Sequence, residues 1–261
     1  MASRVHKVDI SWDRRPSGTV ANVVFDNSRK LNCLNPPALL DLTEAFQSLA
    51  REDDLSVVVL SGAGGRALIG GADINHMVTM KESEHGRTFL TQIHKFCQAI
   101  RDCPVPVIAR CEGYTLGAGL EVAAACDMRI AADNAFFGMP EVNVGLPSVV
   151  EAALLPRLIG WGRTSRMLLT AETIDAAKAE RWGLVEEVVP VGELDAAIER
   201  SVHAIVEAAP LAVRAQKRLM RRWERLSIDE AVQAGIDAMA QSVTTGEHIE
   251  RMSAFINRKR K

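Results

Sequence analysis

The sequence predicts an α/β fold, with alternating strands and helices in a core and a helical part at the C-terminus. Three observations predict it. Short, wholly apolar runs at 56–62 and 104–110 suit strands buried on both faces. Segments with helical spacing of apolar residues alternate with these runs. After Pro190 the strand-like runs stop and nearly everything is helical.

The elements follow in chain order. An alternating, strand-like pattern opens the chain through Val8 and Ile10, and 18–26 reads as a strand. Asn35 with Pro36 and Pro37 starts a helix, because asparagine caps free N–H groups and proline fits the first turn. Leu39, Leu42, Phe46 and Leu49 form the buried stripe of that helix. The strand at 56–62 leads into a loop and then a helix with Phe89, Ile93, Phe96 and Ile100 on one face. The strand at 104–110 leads to a glycine turn at 117–119 and a short alanine-rich helix. Strands are expected at 128–131 and 184–189. Further on, Ser227 and Glu230 form a capping box, with a stripe of Val232, Ile236, Met239 and Val243 behind it.

Composition excludes several classes. The 261 residues are 48% hydrophobic and 25% charged, an ordinary soluble globular balance. A net charge of -2 argues against duplex nucleic acid as a main partner, since phosphate binding needs a basic footprint. No apolar run is long enough for a bilayer, and the first residues lack the apolar stretch of a signal peptide. Five cysteines, odd in number and without a CxxC pair, read as free thiols in a reducing, cytoplasmic setting. The six histidines show no metal-binding spacing, and no Walker A or GxSxG motif is present. Gly62-Ala63-Gly64 begins like a dinucleotide fingerprint, but Ala67 stands where its third glycine belongs.

Two glutamates carry the chemical interest. Glu121 follows Gly117-Ala118-Gly119-Leu120 and heads an apolar helix, so its carboxylate points toward protein. Burial of an unpaired carboxylate raises its pKa. Glu141 follows Gly138-Met139-Pro140. Two such groups facing one cleft can divide the work of moving protons. The glycine segments at 70–73 and 117–119 are either tight turns or frames for backbone N–H groups that hold an oxyanion. Alone, Glu121 can be a carboxylate satisfied by the helix dipole, and Glu141 an exposed loop residue.

Together the segments resemble the crotonase superfamily of enoyl-CoA hydratases and isomerases. Arg66-Ala67-Leu68-Ile69-Gly70-Gly71-Ala72-Asp73-Ile74 is similar to the family's first oxyanion segment. The stretch from Gly113 to Glu121, with Cys126 and Asp127 after it, is similar to the second. Ala135 to Pro147 resembles its Pro-Glu segment, Leu31 to Asn35 its adenine-side stretch, and Glu250 to Phe255 its C-terminal signature. The motifs keep the family's order over essentially the whole chain. The resemblance implies a ββα spiral core over residues 1–195, which binds a CoA thioester, and a helical oligomerisation subdomain over 196–261. It implies trimers or pairs of trimers. It implies hydration of a trans-2-enoyl-CoA to a 3-hydroxyacyl-CoA, with CoA as part of the substrate, no separate cofactor and no metal. The N–H groups of Ala72 and Ala118 would bind the thioester oxygen. Glu121 would help deprotonate water for attack at C3, and Glu141 would deliver a proton to C2. Arg29, Lys30, Cys33, Leu34, Gly70, Asp73 and Ile74 would meet the CoA moiety. Tyr114, Val149 and Val150 would line the acyl pocket.

The departures from the family pattern fall mainly in one place. Leu68, Gly70 and Ala118 are small changes in a site built from backbone, and Asn75 stands where lysine is frequent. The stretch 147–156, Pro-Ser-Val-Val-Glu-Ala-Ala-Leu-Leu-Pro, replaces a glycine-rich segment beside the acyl group. Double-bond isomerisation, hydration of a branched or dicarboxylic enoyl-CoA, and a non-catalytic CoA- or RNA-binding relative are the alternative readings. The near-neutral charge disfavours RNA.

Overall fold

Three times in succession the chain lays one strand into a large sheet, one into a small sheet, and then turns into helix. The computed structural model describes residues 6–258, except for the side chain of Arg258. Most of the basic end 258–261 and the first five residues lie outside them. β1 (Lys7–Arg15) and β2 (Gly18–Asp26) form an antiparallel hairpin, and α1 (Pro36–Leu49) follows. The Asn35 side chain accepts from the Ala38 N–H at 3.0 Å, as the capping pattern predicts. The first repeat is β3 (Leu55–Gly62), β4 (Ala67–Ile69), the short α2 (Ile74–Met77) and the long α3 (Ser83–Asp102). The second is β5 (Val107–Cys111), β6 (Tyr114–Leu116) and α4 (Ala118–Ala125). The third is β7 (Met128–Ala132) and β8 (Phe136–Gly138), followed by 3-10 turns at Glu141–Val144 and Val150–Leu154. Helices α5 (Leu155–Ile159) and α6 (Trp161–Thr170) lead to β9 (Ile174–Asp175), α7 (Ala176–Trp182) and β10 (Glu187–Val189). Helices α8 (Leu194–Val206), α9 (Pro210–Trp223), α10 (Ile228–Val243) and α11 (Glu247–Arg258) complete the chain. This is the ββα spiral that the motif order implies.

The large sheet runs β1-β2-β3-β5-β7-β10 and the small one β4-β6-β8-β9. Strands β2, β3, β5, β7 and β10 are parallel neighbours, as are β4, β6 and β8. The large sheet is buried on both faces at β3, β5 and β7, which explains their apolar runs, whereas its edge strand β1 is largely exposed. One face packs on α1, α3 and α4 through Val23, Phe25, Val58 and Leu60. The other packs Val57, Val59, Ile108 and Ile130 against Leu194, Ile198 and Val202 of α8. Helix α8 therefore closes the sheet, although its residues span the 195/196 division drawn from the sequence.

Three elements differ from the sequence reading. The strand expected at 104–110 begins at Val107, since Pro104 and Pro106 have no N–H to give a ladder. The strand expected at 184–189 begins at Glu187. Before it, Gly183 at φ 79 ends α7 and Leu184 N–H returns to the Ala179 carbonyl at 2.9 Å. Finally, the stretch after Gly62 is not all loop, because it contains β4.

Helix α9 is fixed to the core by charge. The Lys217 ammonium is buried and donates to Asp127 Oδ2 at 2.6 Å and to the Val105 carbonyl at 2.8 Å. Arg221 donates to the other Asp127 oxygen at 2.9 Å. A buried cation with this many acceptors is tolerated, whereas removal of one partner alone is costly. Beyond α9 the apolar stripe of α10 faces outward: Val232, Ile236, Met239 and Val243 are all exposed.

Candidate active site

Strands β4, β6 and β8 lie side by side and parallel, so the segments that leave their C-terminal ends meet. These are residues 70–73, 117–121 and 139–141, the three motif segments of the sequence. Ligand sites at the carboxyl ends of parallel strands are the rule in α/β folds.

The first two segments supply backbone donors. Leu34 bridges to Ala72: its N–H donates to the Gly71 carbonyl at 2.8 Å, and its carbonyl accepts from Asp73 N–H at 2.7 Å. This fixes the loop and leaves Ala72 N–H over. Ala118 opens α4, where the first N–H groups have no helical acceptor. Among the described residues neither Ala72 N–H nor Ala118 N–H has a hydrogen-bond partner. Gly117 sits at φ 52, ψ -123, a conformation that favours glycine. Gly119 has a second reason to be glycine, since a Cβ there would stand 2.0 Å from the Ile69 carbonyl oxygen. Helix α4 thus starts flush against the end of β4.

The two glutamates occupy unlike surroundings. Glu121 is 4% exposed on the first turn of α4. Burial first, then the nearby Glu141 and Glu151 carboxylates, push its pKa up to about 8, although the Ala152 and Val149 N–H groups pull the other way. Glu141 is half-buried and accepts from the Ser148 hydroxyl at 2.7 Å. Its Oε1 lies so close to Gly117 that a Cβ there would stand 2.4 Å away. One carboxylate is therefore placed against the turn that presents Ala118 N–H, and the other heads the same helix.

The residues expected to meet CoA gather on one side. Asp73 caps α2 through Asn75 N–H at 3.0 Å and takes the Lys30 ammonium at 2.9 Å. Burial pushes the Asp73 carboxyl up, but Lys30 and Asn75 outweigh it and hold it below its usual range. Gly70 N–H donates to the Leu31 carbonyl at 2.8 Å, which joins the Leu31 to Leu34 stretch to the first oxyanion loop. Arg29 and Ile74 are exposed beside it. Cys33 is half-buried, and burial raises its thiol pKa. Leu34 is the exception, because its side chain is fully buried in the core and supports the loop instead of lining it.

The three acyl-pocket residues are not brought together. Val149 and Val150 line an open pocket of about 490 Å³ with Ser83, Arg87, Leu90, Thr91 and His94. Tyr114 begins β6, at the end of the strand opposite Gly117, and packs its ring on Phe136 with centroids 5.7 Å apart. That places Tyr114 away from the pocket. Conversely, the sequence reading passed over Glu151 and gave His94 no chemical role. Glu151 is 6% exposed, and its Oε1 lies 2.7 Å from His94 Nδ1. The available sign was a lone carboxylate inside an otherwise apolar run.

The chain is similar to known proteins of one family. The sequence profile described as enoyl-CoA hydratase/isomerase matches residues 15–261. The short-chain-enoyl-CoA hydratase of Clostridium acetobutylicum is 34% identical over 93% of both chains. The crotonyl-CoA hydratase of Syntrophomonas wolfei is 33% identical over 92% of this chain and 93% of its own. The crystal structure of an enoyl-CoA hydratase from Mycobacterium smegmatis superposes with a TM-score of 0.90 at 31% identity, covering 95% of this chain and 96% of that one.

Proposed function

The chain belongs to the enoyl-CoA hydratase/isomerase family and is an enoyl-CoA hydratase, and we propose that Glu121, Glu141 and the N–H groups of Ala72 and Ala118 carry its reaction. The observation that carries this reading is the convergence of three loops at the ends of β4, β6 and β8, with the Glu141 carboxylate against the turn that holds Ala118.

In this reading the two free N–H groups hold the thioester oxygen and make C3 electrophilic. One water lies between the carboxylates. Hydration needs one of them charged and the other protonated. Burial places the pair's single proton on Glu121 in the free site, while Glu141 accepts a hydrogen bond from the Ser148 hydroxyl. The proton crosses to Glu141 through the shared water. Water then attacks C3 and loses a proton to Glu121, while Glu141 gives its proton to C2. The product is a 3-hydroxyacyl-CoA, and the pair ends with its proton on Glu121, as it began. Lys30, Arg29, Cys33, Gly70, Asp73 and Ile74 frame the CoA side, and CoA enters only as part of the substrate. The named relatives support a short-chain substrate such as crotonyl-CoA.

The exposed apolar face of α10 and α11, with Val232, Ile236, Met239, Met252 and Ile256, supports a homo-oligomer, since a monomer seldom shows so much apolar surface; that it is a trimer or pair of trimers is what the family resemblance implies. Sedimentation of the purified chain tests this, and a monomer at micromolar concentration rejects it. The five free cysteines favour a cytoplasmic setting.

The test of function is the loss of conjugated-thioester absorbance on crotonyl-CoA. Wild type is expected to turn over and Glu141→Gln to fail. A folded wild type that leaves a panel of enoyl-CoAs unhydrated rejects the reading.

A further inference from the structure

One carboxylate near the site is unused by the reaction above. Glu151 is buried, in a stretch of sequence that is otherwise apolar from Val149 to Leu154. Burying a lone charge costs several kcal/mol unless it is paired. Here only half the group is satisfied. Oε1 meets His94 Nδ1 at 2.7 Å, while Oε2 is enclosed and has no partner among the described residues. His94 reaches in from α3 with its ring half-exposed in the open pocket beside Val149 and Val150.

The backbone shows that this placement is enforced. Val150, just before Glu151, sits at φ 44. A β-branched residue avoids that region, and such strain persists only where the surroundings over-determine it. The turn Val150–Leu154 packs on α4, which carries Glu121, and on α3, which carries His94. The same strained turn thus holds the Glu151 carboxylate beside the helix that carries Glu121.

Resting on the catalytic pair assigned above, we propose that Glu151, held by His94, is a positioning residue that keeps the pair's proton on Glu121. A charged carboxylate beside a buried one disfavours a second charge, so Glu121 stays protonated until the reaction draws its proton to Glu141. The other titratable groups around Glu121 are few. Glu141 faces it from the turn after β8, and adds to the effect of Glu151. Cys97 on α3 lies beside both Glu121 and Glu151, and burial keeps its thiol neutral. Cys126 ends α4 with its thiol likewise held neutral by burial. Arg129 donates to the Ala123 and Cys126 carbonyls at that far end, and Arg87 lies at the pocket mouth beyond His94.

The experiment is the pH dependence of kcat/KM for crotonyl-CoA hydration, which reports groups of the free enzyme. In wild type, activity falls on the alkaline side as Glu121 loses its proton. Glu151→Gln removes the neighbouring charge, so the alkaline limb moves to lower pH by about one unit. His94→Leu removes the partner that holds the Glu151 carboxylate in place, so the carboxylate is no longer kept beside α4. Its limb therefore moves the same way although position 151 is untouched. A merely structural role would lower kcat/KM at every pH and leave the limb in place. An unmoved limb in either active variant overturns the proposal. If Glu151→Gln does not fold, His94→Leu decides, because its ring is half outside the protein. Failure of the catalytic pair itself is distinguishable: there wild type would not turn over, or Glu141→Gln would remain active.

Discussion

The two sides of the site treat a glutamate in opposite ways. On the α4 side Glu121 is enclosed by apolar residues and a second carboxylate, and its pKa is pushed up to about 8. On the β8 side Glu141 stands on a half-open turn and receives the Ser148 hydroxyl. The same side chain is thus enclosed and given a proton in one place and left half-open beside a hydroxyl in the other. Paired carboxylates need that difference, because two equal ones would both be charged or share the proton without direction.

The sharpest way to break this comparison is to remove each carboxylate in turn. Glu121→Gln and Glu141→Gln keep the shape and lose the proton carrier, so each is expected to lower kcat by about 10²-fold to 10⁴-fold. Crotonyl-CoA absorbance measures it, and near-wild-type kcat in either variant removes that residue from the mechanism.

The next largest effect concerns the donor that both sides share. Ala118→Pro deletes the N–H at the start of α4, where proline itself fits a first helical turn. It is expected to cost roughly 10² in kcat. Ala118→Gly keeps the N–H and should remain active. Circular dichroism confirms the fold, and a folded, fully active proline variant excludes Ala118 as a donor.

A smaller effect is expected at the turn Val150–Leu154, beside the proposed acyl pocket. Val150→Gly and Leu154→Gly should change the ranking of four-, six-, eight- and ten-carbon enoyl-CoAs by roughly ten-fold in kcat/KM, since one methylene in an apolar pocket is worth about 1–3 kcal/mol. The Val150 variant also relieves a left-handed valine. An unchanged ranking assigns chain-length choice to another loop.

The smallest effect is on stability, and it isolates the α4 side. Unfolded, Glu121 releases its proton near the ordinary value of 4.5, whereas the folded protein holds it until about 8. Between those values the native state binds more protons, so stability falls as pH rises through this window. Glutamine has no proton to lose. Glu121→Gln should therefore gain stability relative to wild type as pH rises from about 4.5 to about 8, and the difference should level off above that. Thermal unfolding at several pH values measures this, and a constant difference means that Glu121 is not held protonated.

Much of this was legible in the chain itself, for a physical reason. Strands buried on both faces must be apolar throughout, so β3 and β5 announced themselves through 56–62 and 104–110. Helix starts depend on local hydrogen bonds, so Asn35 and the Ser227 capping box are found where they were read. The alanine-rich surroundings of Glu121 foretold its burial. Other features depend on neighbours far away in sequence. β4, β6 and β8 have three residues each, too few to show a period, and only their pairing makes a sheet. That sheet is what gathers the three loops. Tyr114 and Leu34 carry the right motif neighbours, but strand direction and core packing turn them away from the site. Whether Val232 and Ile236 face a core or the outside is the same pattern in either case, and the path of α9 and α10 decides it. Glu151 makes the point most plainly. Its sequence shows only a charge in an apolar run, whereas the partner that makes its burial tolerable, His94, is 57 residues away and meets it only after α3 has packed beside the strained turn.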